Sequence, residues 1–111
     1  MTVNLLKMKT RPQSGPAFNL SEIEANLSFL HKGWELVDGA LEKRFDFKNF
    51  YRTMAFVNAI AWIANSEDHH PDLLVPYDHC IVRFRTHSVN GLSLNDFICA
   101  AKTDALVSAD E

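Results

Sequence analysis

Clustered positive charge is what this chain lacks most: 11 Lys and Arg stand against 14 Asp and Glu, for a net charge of -3. Affinity for a phosphate backbone rests on grouped Lys and Arg, so a nucleic-acid partner is not expected. Cysteine is scarce as well. Cys80 and Cys99 sit inside apolar segments without CxxC spacing, which favours buried free thiols in a reducing compartment over a disulfide. No stretch approaches the roughly 18 uninterrupted apolar residues of a membrane span. The opening MTVNLLKMKTRPQSGPAF has no continuous apolar core followed by a small-residue cleavage site, so the expected setting is cytoplasmic, with no membrane partner. Long repeats and low-complexity tracts are absent too. What remains, 111 residues of which 47% are apolar and 23% charged, is enough for one globular domain with one core.

Residues 1–18 mix Lys7, Lys9 and Arg11 with Pro12, Ser14, Gly15 and Pro16, the composition of a flexible or loosely docked arm. Residues 19–111 then form the single domain. Ser21 and Glu24 have capping-box spacing, and Ile23, Leu27 and Leu30 recur at helical intervals up to about His31, before Gly33. Asp38-Gly39 is a favoured hairpin turn, with Trp34 and Leu36 alternating before it and Leu41, Phe45 and Phe47 after it. Lys43 falls on the apolar face, which suggests an open sheet edge. A second helix is expected from about Asn49 to Asn65. In residues 50–64 only Arg52, Thr53 and Asn58 are not apolar, and a helix with so little wet face is usually buried against a partner, so an oligomer interface is expected there.

LLVPYDH and CIVRFRTH predict a second strand pair, with Cys80, Val82, Phe84 and Thr86 on one face and His79, Ile81, Arg83, Arg85 and His87 on the other. A turn at Asn90-Gly91 leads into a helix from about Ser93, with Leu94, Phe97, Ile98, Ala101 and Ala105 facing inward. The order α-β-β-α-β-β-α predicts an α+β fold: a four-stranded antiparallel sheet with helices packed on one face.

Function is sought in EDHHP, residues 67–71, where the apolar helix must stop. Imidazole titrates near neutrality, which suits proton transfer. His69 and His70 stand at a helix C-terminus and His87 at a strand end, a common place for functional side chains on a rigid scaffold. Each also has a plain structural account. A histidine at a helix C-terminus is stabilised by the dipole alone, and Asp96, three residues after Ser93, fits an N-terminal capping box. Zinc is a rival use of His69, His70, His79 and His87. No HExxH or paired CxxC supports it, and neighbouring histidines at a helix end seldom reach one ion, so no metal is expected.

His69-His70-Pro71, then Tyr77, His87 and Asp96 at their particular spacing, resemble the signature of the pterin-4a-carbinolamine dehydratases. GW at 33–34, FDFKNF at 45–50 and GLSLNDF at 91–97 resemble family segments as well, and the likeness spans about residues 20–106. The resemblance implies a hydro-lyase that removes water from 4a-hydroxytetrahydropterin to give quinonoid dihydropterin, in recycling the cofactor of aromatic amino acid hydroxylases. It implies His69, His70 and His87 as catalytic, with Asp96, Asp68 and Thr86 supporting or contacting substrate, and with pterin as substrate rather than cofactor. It also implies a homodimer or homotetramer built through helix 49–65 and sheet edges. Some relatives serve as dimerisation cofactors of a transcription factor, so a non-catalytic interaction module is the alternative. One position departs from the pattern: Asn65 stands where the family often has an acid.

Overall fold

The computed structural model describes residues 4–107, so residues 1–3 of the expected arm and 108–111 at the end of the expected domain lie outside it. Seven elements follow one another: α1 (Leu20–Leu27), β1 (Glu35–Val37), β2 (Ala40–Asp46), α2 (Phe50–Glu67), β3 (Asp72–Leu74), β4 (His79–Phe84) and α3 (Leu94–Asp104). The strands make one antiparallel sheet in the order β1-β2-β4-β3, as the α+β reading expects.

Local chemistry accounts for each boundary. Asp38 and Gly39 take φ of 48° and 79°, the left-handed pair that a two-residue hairpin needs. The cap of α1 lies two residues before the expected one: Asn19 accepts from the Glu22 amide and the Glu22 carboxylate accepts from the Asn19 amide. Asn is as good a cap as Ser, and the same spacing fits both. α1 also ends at Leu27, with turns carrying the chain to Gly33. Asn49 caps α2, and Asp68, left-handed at φ 52°, closes it ahead of Pro71. Ser93 and Asp96 form the capping box of α3.

Alternation sends Leu41, Phe45, Cys80, Val82 and Phe84 inward, where they meet Phe56 and Ile60 of α2 and Phe97 and Ile98 of α3. Glu42, Arg44 and Arg83 take the other face, and Arg83 pairs across strands with Glu42 at 2.6 Å. Four expectations need correction. Lys43 is not at an edge: β2 is central, and the ammonium is buried 3.1 Å from Asp104, which also accepts from Trp34 Nε1. Leu36 does sit on the edge strand and is exposed rather than packed, and Ala105 lies past the last buried turn of α3. α2 has a stripe after all, with Thr53, Phe56, Ile60, Ile63, Ala64 and Glu67 buried. The outer side keeps Tyr51 and Trp62 exposed.

Residues 4–18 differ from the picture of a loose arm. Leu5 is in the core, Lys102 donates to the Leu6 carbonyl at 2.7 Å, and the Phe18 amide donates to Leu92 at 2.8 Å. Polar composition suggested looseness, but the polar groups of this segment find buried partners on the domain.

Candidate active site

The C-terminus of α2, the start of β3, the turn after β4 and the start of α3 converge on one cavity of about 560 Å³. Asp68, His69, His70, Thr86 and His87 all line it, so the three imidazoles, 18 residues apart at the extremes, share one space. His87 arrives differently from expectation. β4 ends at Phe84, and His87 opens a 3-10 turn (His87–Val89) that Asn90 closes at φ 53° and a Thr86–Gly91 bridge pins.

His69 is the fixed member. Its side chain is 11% exposed, its ring stacks on Phe84 with centroids 6.1 Å apart, and Nε2 lies 2.7 Å from Asp96 Oδ1. Asp96 is fully buried and its other oxygen accepts from Thr86 Oγ1 at 2.7 Å and from the Ser93 amide at 2.9 Å. An ionised carboxylate only accepts, so across the 2.7 Å contact Nε2–H donates to Asp96 and Nδ1 is the ring's other nitrogen. The capping box expected at Ser93 and Asp96 therefore does two things: it starts α3 and it orients His69.

His70 and His87 are exposed at the mouth. His70 Nε2 faces Asn65 Oδ1 at 3.4 Å, so the position that departs from the dehydratase signature still touches a histidine, with an amide instead of a carboxylate. His87 Nδ1 lies 3.5 Å from Arg85, whose guanidinium also donates to Asn90. Of the remaining signature residues, Tyr77 is exposed and stacks on Phe50 outside the cavity. His31 and His79 lie elsewhere, against Asp104 and Asp78. Among the described residues no group of three His, Cys, Asp or Glu could hold a metal ion.

Sequence reasoning missed part of the lining. Thr10, Arg11, Pro12 and Gln13 of the N-terminal segment form one side, with Glu67 and Asn95 behind them. Glu67 accepts from Lys9 Nζ and from the Thr10 amide, each at 2.9 Å. Burial pushes its carboxyl up, but the Thr10 and Lys9 hydrogen bonds with the Lys102 charge outweigh this and hold it below the usual glutamate value. An acid in the last turn of a helix, where the dipole disfavours negative charge, was the available signal for a polar partner.

Three comparisons place this geometry among known proteins. Residues 16–106 match the family model described as "Pterin 4 alpha carbinolamine dehydratase". A relative from Nitrosomonas europaea, provisionally named a pterin-4-alpha-carbinolamine dehydratase, is 51% identical over 105 residues, 93% of each chain. One of the same name from Stenotrophomonas maltophilia R551-3 is 56% identical over 107 residues, 94% of this chain and 92% of its own. The crystal structure of a transcriptional coactivator/pterin dehydratase from Brucella melitensis superposes with a TM-score of 0.78 at 33% identity, covering 83% of this chain and 99% of that one.

Proposed function

This chain belongs to the pterin-4a-carbinolamine dehydratase family, and from that premise we propose that it is a hydro-lyase converting 4a-hydroxytetrahydropterin to quinonoid dihydropterin. The C4a–OH bond breaks as the hydroxyl takes a proton and leaves as water, N5 gives up its proton, and the N5=C4a double bond forms. Nothing is oxidised or reduced. The observation that carries this reading is the convergence of His69, His70 and His87 on one cavity, with Asp96 beneath.

The division of labour is inferred from anchoring and exposure. His69, held by Asp96, orients the substrate or its hydroxyl, while His70 and His87, exposed at the mouth, exchange the two protons. Asp68 and Thr86 support them: Asp68 closes the helix that leads into His69, and Thr86 shares Asp96. The reaction class supplies tetrahydropterin recycling beside aromatic amino acid hydroxylases, and the expected compartment is the cytoplasm. No helix of the described residues is long and apolar enough to cross a membrane.

His70→Ala and His87→Ala test the assignment against freshly generated carbinolamine. Each is expected to lower the catalysed rate by about 10² to 10⁴, the usual scale for a positioned acid or base. Wild-type rates in both variants would refute it.

A second reading is supported by the outer face of α2, where Tyr51 is 82% and Trp62 72% exposed. Rings this open are covered by another copy of the chain in a homodimer or homotetramer, with the sheet edges as further contacts. Sedimentation showing only a monomer at micromolar concentration would contradict this. An interaction module without catalysis is the alternative, in keeping with the Brucella protein's description as a transcriptional coactivator as well as a dehydratase. It predicts capture of a helical partner with no acceleration of dehydration.

A further inference from the structure

Residues 10–13 precede the stretch that matches the family, yet they wall the histidine cavity. Their docking is specific. Asn95, 7% exposed, works with both ends of its amide: Oδ1 accepts from the Arg11 amide at 3.1 Å and Nδ2 donates to the Arg11 carbonyl at 2.7 Å. Glu67, also 7% exposed, takes the Thr10 amide at 2.9 Å, and its own carbonyl accepts from the Thr10 hydroxyl. A side-chain amide that pairs both backbone groups of one residue fixes that residue's position much as a neighbouring strand would.

The two clasps have a telling position in the chain. Glu67 stands two residues before His69, and Asn95 adjoins Asp96. The elements that deliver the histidine and its carboxylate therefore also set the distance of the opposite wall. Between the clasps, Arg11 is exposed, and among the described residues its guanidinium has neither a hydrogen bond nor an ion pair, although it lines both this cavity and the neighbouring one beside Lys7 and Lys9. Five unpaired N–H donors at the rim of a cavity favour an acceptor-rich guest.

Resting on the dehydratase reading, we propose that residues 10–13 form a binding wall for the pterin. Glu67 and Asn95 act as positioning residues, and the Arg11 guanidinium donates to an oxygen or ring nitrogen of the substrate remote from C4a. The wall acts on binding and takes no part in proton transfer. Interactions of that kind are equal in ground and transition states, so their loss raises KM and leaves kcat alone.

Arg11→Ala tests this directly, since among the described residues that exposed side chain makes no hydrogen bond or ion pair, and the variant is expected to fold. KM for the carbinolamine is expected to rise about ten-fold with kcat within about two-fold of wild type, and Arg11→Lys recovers part of the loss. Asn95→Ala raises KM in the same way, and combining it with Arg11→Ala adds less than the product of the two, because both act through one wall. An Arg11→Ala variant with wild-type KM, or with its loss in kcat alone, overturns the proposal, whatever the fate of Asn95→Ala. A wild-type chain that leaves the spontaneous dehydration rate unchanged is a different failure: it removes the dehydratase reading and the wall with it.

Discussion

Asp96 shows how one residue serves two ends. Its carboxylate caps α3 through the Ser93 amide and holds His69 at 2.7 Å, with Thr86 as a third donor. Asp96→Asn keeps the shape and removes one acceptor. Its NH2 then either faces Nε2–H, donor against donor, or displaces the Thr86 and Ser93 contacts, so His69 must turn or change tautomer. Activity is expected to fall on the order of 10²-fold, the scale of one misplaced acid or base, while the variant still folds. Stopped-flow turnover beside a thermal melt checks this, and full activity would remove Asp96 from the account. The spacing Ser93-x-x-Asp96 was legible as a helix start. That the same carboxylate reaches His69, 27 residues away, is a tertiary fact.

At the scale of elements, what the sequence made legible was whatever depends on near neighbours. The Asp38-Gly39 turn, the inward alternation of Cys80, Val82 and Phe84, and the stop of α2 before Pro71 all follow from local chemistry. Strand order does not, and Lys43 shows why. A lysine on an apolar face suggested an edge, because the partner that allows burial, Asp104, lies 61 residues away on α3. In the centre of the sheet the ammonium pairs with Asp104 and lies 4.8 Å over the Phe45 ring. Lys43→Ala strands a buried carboxylate, and breaking such a pair costs about 3–5 kcal/mol. Urea unfolding checks the figure; a loss under about 1 kcal/mol would mean water already reaches Asp104. The docked segment 4–18 escaped the sequence for the same reason, since its partners Glu67 and Asn95 are far along the chain.

For the whole molecule, the antiparallel sheet is the frame that carries the C-terminus of α2 and the turn after β4 to the same end, and that is what gathers the histidines. The cysteines stay out of the chemistry: both are buried in the core, and burial pushes Cys80 up to about 11 and Cys99 to about 12. Of the 5 histidines, three line the cavity, whereas His31 and His79 sit against carboxylates elsewhere. Histidine ring resonances, followed by NMR while a reduced pterin is added, therefore test the central claim most directly. The account predicts saturable shifts at His69, His70 and His87 with His31 and His79 unmoved. Shifts confined to His31 or His79, or none at His87, would contradict it.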